Sequence, residues 1–216
     1  MAHKKLLRKE SMELRRDSIL RAARCVFARE GYSDTVVDHI ADQAGIGKGT
    51  LYLYFRSKED IYMATLLEDA RRLNAATRER MQEVDSWQKQ LRAYVTVRME
   101  HLETNQDFLR IYLAEFRGMM MRNARIHCDL YQVMRESEGL LAQAFAAAIA
   151  RHEIRNVDPE LAAMTVVDLT RGLMERRLLG SSCGSNRNEI EFALDLLCRS
   201  LEKEPGTTHR AGPADQ

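Results

Sequence analysis

The stretch Ala44-Gly45-Ile46-Gly47-Lys48-Gly49-Thr50-Leu51-Tyr52 decides the fold, because two short helical patterns meet in it across a glycine turn. On its N-terminal side Val37, Ile40, Ala41 and Ala44 recur at helical spacing. A short helix is therefore expected over about 36–44, opened by a variant capping box of Thr35 and Asp38. Gly45 stands where a left-handed C-terminal cap is needed, Ile46 is placed to plug the core, and Gly47 can cap the next helix. That next helix, about 48–54, puts Leu51 and Phe55 on one side and Gly49, Thr50 and Leu53 opposite, with Lys48 and Tyr52 at the border. One face packs and the other is presented. Two short helices joined by a tight turn are the elements of a helix-turn-helix, whose second helix enters the major groove of DNA.

Working outward, Ile19, Leu20, Ala23, Val26 and Phe27 predict an amphipathic helix over about 12–30, which Gly31 ends. Ser57 precedes Lys58-Glu59-Asp60, so a fourth helix is expected from 58 to about 81, leading into a second region. Longer patterns follow at about 87–103, 108–116, 120–151, 158–179 and 189–202, with Asp158-Pro159 opening the fourth of these. The expected fold is all-α, with a helix-turn-helix domain followed by a larger helical domain. The expected divisions are a basic arm at 1–11, the helix-turn-helix domain at 12–57, a connecting helix at 58–83, the larger domain at 84–204 and a disordered tail at 205–216.

Composition excludes several other classes. Hydrophobic residues make up 45% of the 216, enough for a core, and only three prolines interrupt the chain, which favours helices over short strands. Apolar runs such as 144–150 fall far short of the roughly 20 residues that span a membrane. The basic start, Lys4-Lys5-Leu6-Leu7-Arg8-Lys9, is followed by no apolar signal core, so a cytoplasmic protein without a membrane partner is expected. Cys25, Cys128, Cys183 and Cys198 are scattered, and most are expected to be buried, reduced thiols. No ligand spacing for a metal is found; His127-Cys128 is a single adjacent pair. The six histidines are dispersed, with no nucleophile elbow or phosphate loop, so neither an enzyme nor a cofactor is expected. Net charge is only +1 but uneven: residues 1–29 hold nine Lys or Arg against three acids.

The presented residues suit a duplex. Lys48 offers a cation and three donors, Gly49 permits close backbone approach, and Thr50 combines a hydroxyl with a methyl. Tyr52, Tyr54 and Lys58 can donate to phosphates, as can Thr35 from the start of the second helix. The basic segment Lys4 to Lys9 can add phosphate or minor-groove contacts, or be a disordered tail. In order and spacing, Ile19-Leu20-Arg21-Ala22-Ala23, Phe27, Gly31-Tyr32, Thr35, Ile40-Ala41, Ala44-Gly45 and Lys48 through Lys58 resemble the N-terminal signature of the TetR family, over about residues 12–65. Two positions depart from it. Gly47 stands where members often have Ser or Thr, removing a possible phosphate-binding hydroxyl, and Leu53 where a His or other polar residue is frequent. Leu53 can instead meet a thymine methyl or a sugar edge. These two departures are the support for a competing class, a ligand-binding or interaction protein that no longer binds DNA.

The resemblance implies a sequence-specific regulator of transcription, a homodimer on a palindromic double-stranded operator, with a small-molecule effector bound in an all-helical domain that dimerises through its last two helices. Repression is the commoner mode in the family and activation the alternative. From the residues, Met99, Phe108, Tyr112, Phe116, Met120, Tyr131 and Met164 offer aromatic and thioether surface for a largely apolar effector, or else belong to the core. Arg98, Glu115, Arg171 and Glu175 can anchor polar groups if they face inward. Leu161, Val167, Leu178, Leu194, Leu197 and Leu201 are the residues expected to meet a partner subunit.

Overall fold

In the computed structural model, residues 2–107, 110–111, 128–181 and 184–203 are described, and among them the chain forms eight helices. They are α1 (Ala2–Asp34), α2 (Val37–Gln43), α3 (Lys48–Tyr52), α4 (Lys58–Gln82), α5 (Trp87–Thr104), α6 (Cys128–Ala150), α7 (Pro159–Leu178) and α8 (Asn186–Leu201). Extended pairing among the described residues is confined to a bridge between Ile154 and Glu202. The all-α expectation holds. Of the expected helix at 108–116 only residues 110–111 are among the described residues, and the tail from 205 lies outside them.

Two apolar cores organise the chain. The first gathers Ile19, Ala23, Val26 and Phe27 of α1, Ile40 of α2, Leu51 of α3, Phe55, and Ile61, Leu66 and Leu73 of α4. Leu130 and Val133 of α6 join it. The second is built on Trp87, Leu91, Tyr94 and Met99 of α5, Phe145 of α6, Val166 and Leu173 of α7, and Leu194 and Leu197 of α8. Helix α4 serves both: its N-terminal part packs in the first core, while Met81, near its end, packs in the second. A shift of α4 is therefore felt in both cores, since close-packed interiors transmit strain.

Polar contacts fix α4 on both sides. Toward α1, Arg24 pairs with the buried Asp69, and Arg72 reaches Asp17 at 3.3 Å. Burial pushes the Asp69 carboxyl up, and Arg24 pulls it back. Toward α5 and α6, the buried Arg98 guanidinium donates to Thr77 Oγ1 at 2.6 Å, to Asn74 Oδ1 at 3.1 Å and to Ser137 Oγ. The same group lies 3.8 Å from the Tyr94 ring centroid, and Asn74 donates to the Val133 carbonyl at 2.8 Å. Arg98 thus faces inward, with its guanidinium bonded within the protein, and ties three helices together.

Candidate nucleic-acid interface

The turn between α2 and α3 is a Schellman motif. Ile46 N–H donates to the Ala41 carbonyl and Gly45 N–H to Asp42, both at 3.0 Å, with Gly45 at φ +65°. That left-handed residue is why glycine is required there. The expected capping box at the start of α2 is absent. Val36 is the N-cap and its side chain makes no capping bond, while the Thr35 hydroxyl turns back to the Gly31 carbonyl at 2.6 Å. Gly31, at φ +78°, breaks α1 where the sequence placed its end, leaving a free carbonyl for Thr35 to bond.

Helix α3 is short, five residues, and hangs on two anchors, Leu51 and Phe55, which are almost fully buried. Burying each is worth roughly 1.5–3 kcal/mol. With those anchors inward, the opposite surface is presented: Leu53 is 80% and Tyr52 45% exposed, and Gly47, Lys48 and Gly49 are exposed. Thr50 and Tyr54 are half-buried. Lys48 pairs across the turn with Asp38 of α2 at 2.9 Å, and that hydrogen bond holds its ammonium above the usual lysine range. The sequence marks Asp38 only as part of a capping box, and its pairing with Lys48 is not legible there, since a ten-residue separation matches no helical repeat. Asp38 holds the lysine at the edge of α3, where a phosphate can replace it.

Two expected contacts are redirected. Thr35 is only 3% exposed, so its hydroxyl cannot reach a phosphate. Lys58 Nζ donates to the carbonyls of Tyr32, Ser33 and Thr35 at 2.6, 3.1 and 2.9 Å and lies 4.6 Å from the Tyr32 ring centroid. An ammonium has three protons, and all three are used within the protein. Lys58 therefore fastens α4 to the end of α1 and leaves no donor for a phosphate. Nothing lies within 4 Å of a Cβ built at Gly47 or Gly49, so the protein's own packing does not demand glycine at either position.

The described residues among those expected around an effector differ in burial. Met99 is fully buried in the second core, whereas Tyr131 is 56% exposed and Met164 is exposed as well. Arg171 pairs with Asp168 one helical turn away, and Phe108, Tyr112, Phe116, Met120 and Glu115 lie outside the described residues. A cleft of about 460 Å³ between α4 and α5 is lined by Ala76, Glu79, Arg80, Val97, Glu100 and His101, none of them expected. The partner-facing residues also need correction. Leu194, Leu197 and Leu201 are buried in the chain's own second core. The apolar side chains that α8 exposes are Phe192, at 72%, and Leu196, at 54%, while α7 exposes Leu161 and Met164. Val167 and Leu178 are half-buried, packed against the second core. Cys25 is exposed and Cys198 half-buried, against the expectation of mostly buried thiols. No helix among the described residues is long and apolar enough to cross a membrane.

Similar proteins bear on this geometry. Residues 19–65 match the model for bacterial regulatory proteins of the tetR family. The chain is 33% identical over 97 residues to the HTH-type transcriptional activator FasR of Mycolicibacterium smegmatis, covering 45% of this chain and 44% of that one. It is 27% identical over 161 residues to the HTH-type transcriptional regulator UidR of Escherichia coli strain K12, covering 74% and 79%. The chain thus spans less than half the length of FasR, and most of UidR. In three dimensions it resembles the transcriptional regulator FadR from Bacillus subtilis, solved in complex with stearoyl-CoA. The TM-score is 0.76 at 23% identity, over 83% of this chain and 96% of that one, a likeness of fold. The matched segment holds both anchors of α3, the Gly45 turn and the presented Lys48 to Leu53 surface, and over these residues the chain matches the TetR family of bacterial regulatory proteins.

Proposed function

We propose that this chain is a sequence-specific DNA-binding regulator of transcription that acts as a two-fold dimer on a palindromic operator. One observation carries the reading: α3 is locked by Leu51 and Phe55 so that Lys48, Gly49, Tyr52 and Leu53 stand exposed on one surface. Lys48 exchanges Asp38 for a phosphate or a base edge, Gly49 lets the backbone approach, and Tyr52 and Leu53 meet the sugar and base surface. Gly47 serves as the N-cap through its backbone alone, and Tyr54, half-buried, sits at the edge of the contact. Exposed Leu161, Phe192 and Leu196 support dimerisation through α7 and α8, which sets two recognition helices about 34 Å apart.

The effector is a small, largely apolar molecule, a reading supported by the FadR fold accommodating stearoyl-CoA. Ligand binding in the larger domain shifts the population toward a dimer whose recognition helices no longer match the half-site spacing, releasing a repressor from its operator. Helix α4, shared by both cores and pinned by Arg24–Asp69 and Arg98, is the element that carries the shift. The relative FasR, an activator, supports the opposite sign of regulation by the same mechanism.

The test is a mobility shift with duplex from the region upstream of the protein's own coding sequence. Lys48→Ala or Tyr52→Ala weakens binding, whereas unaltered affinity at moderate salt contradicts the assigned face. Mass spectrometry of ligand retained through purification identifies the effector.

A further inference from the structure

Helix α1 is far longer than the core needs. Among the residues whose side chains are described, burial begins at Ile19 and residues 10–15 are exposed, and the helix runs about 25 Å N-terminal of Ile19 at 1.5 Å per residue. The direction of this stretch is fixed, since it is one helix with the segment that packs. Ser11, Leu14, Arg15 and Ser18 border a groove whose other wall is Ala44, Gly45 and Ile46, the turn that leads into α3. The Arg16 guanidinium lies 5.5 Å from the Phe55 ring centroid. The helix therefore leaves the core alongside the start of the recognition helix.

The acids of this N-terminal stretch are confined to one side. By helical register Lys4, Arg8 and Arg15 share the side of Ser11 and Ser18, with Lys5 next to them, whereas Glu10, Glu13 and Asp17 fall on the opposite side. The basic side is thus the side of the helix-turn-helix turn. The sequence contains no acid before Glu10.

We propose that the opening turns of α1 form a second DNA-binding element, which runs Lys4, Lys5 and Arg8 along the phosphates flanking the half-site read by α3. The inference rests on the DNA-binding reading of α3 and adds a surface continuous with it. The helical form selects between the contacts expected for this segment. A helix about 10 Å across does not enter a minor groove about 6 Å wide, so the contact is with the backbone and carries affinity without base information.

The probe is a duplex selected from a random pool by the full chain. The full-length triple variant K4A/K5A/R8A should bind the same sequence with a shallower salt dependence. Each phosphate contact contributes about 0.9 to the slope of log affinity against log salt. With three such contacts on each protomer of the dimer, a fourfold rise in salt should therefore weaken the parent chain about 2,000-fold more than the triple variant. Protection of phosphates outside the half-sites from hydroxyl radicals should disappear in the variant and return in K4R/K5R/R8K. Alanine favours helix, and circular dichroism confirms that the fold is kept. A slope equal to that of the parent, or flanking protection that survives the substitutions, overturns the proposal while leaving α3 as the reader. Failure of the full chain to select any duplex overturns the reading of α3, and this inference with it.

Discussion

Replacing Gly49 by alanine separates what the protein needs from what the duplex needs. Gly49 is the second residue of α3, it is exposed, and a Cβ at its position meets nothing within 4 Å. Its backbone is not left-handed; among the described glycines that conformation occurs at Gly31, Gly45 and Gly180. The folded chain thus offers no steric or conformational reason for glycine here. Alanine removes freedom from the unfolded chain and favours the helix, which is worth about 0.5–1 kcal/mol. For a chain of this size that raises Tm by roughly 1–4 °C. At the duplex the sign reverses. The added methyl stands beside Lys48 on the presented surface and keeps the α3 backbone from closing on the groove. Spoiling the fit at one base pair of such an interface costs about 1–3 kcal/mol, or about 5- to 150-fold in Kd. Thermal denaturation followed by circular dichroism reads the first effect, and fluorescence anisotropy with a selected duplex reads the second. A raised Tm with unchanged affinity refutes the placement of Gly49 against DNA. A lowered Tm refutes the open space around it.

Lys58→Met removes three hydrogen bonds to carbonyls and the contact with Tyr32, so Tm should fall, whereas the salt slope of DNA binding should stay that of the parent chain. A slope smaller by about two, one contact from each protomer, would restore Lys58 as a phosphate ligand. Leu196→Glu places a charge on the exposed side of α8 and should yield a folded monomer in sedimentation velocity, while Leu197→Glu places it in the second core and should prevent folding. A dimeric Leu196→Glu variant would move the interface elsewhere. Burial, with Arg24 and Arg98 adding to it, pushes the His101 imidazole from its ordinary 6.5 down to about 4. Between those values protons bind the unfolded chain in preference to the folded one, so the His101 contribution costs nothing above about pH 6.5 and lowers stability progressively as pH falls toward 4. His101→Gln should flatten the loss of Tm between neutral pH and about pH 5; an unchanged pH profile would show that His101 is not shielded in the folded chain.

The anchors of the recognition helix were legible because they obey a local period. Ile40, Leu51 and Phe55 are buried where helical spacing put them, and Gly45 adopts the left-handed cap its position in the turn required. Contacts distant in sequence were not legible. Lys58 finds carbonyls more than twenty residues earlier, and Thr35 satisfies Gly31 instead of capping α2. No spacing rule encodes either choice. Helix α8 misled for a different reason: it carries two apolar stripes. Ile190, Ala193, Leu194, Leu197 and Leu201 form the broader one, whose leucines periodicity offered to a partner and the fold assigns to the chain's own core. Phe192 and Leu196, one turn apart, form the narrower stripe that is left exposed. Periodicity identifies an apolar face but not what covers it. Composition is equally silent on burial among the described effector candidates: Met99, Tyr131 and Met164 range from fully buried to more than half exposed.

The central claim is that α3 reads DNA sequence. The most direct measurement is selection of duplexes from a random pool by the full chain, followed by sequencing of the bound fraction. A dimer presenting Lys48, Tyr52 and Leu53 from two copies of α3 predicts enrichment of one two-fold symmetric sequence with half-sites about a helical turn apart, or a multiple of it, and loss of that enrichment in Lys48→Ala. A bound fraction no different in sequence from the starting pool would contradict the account.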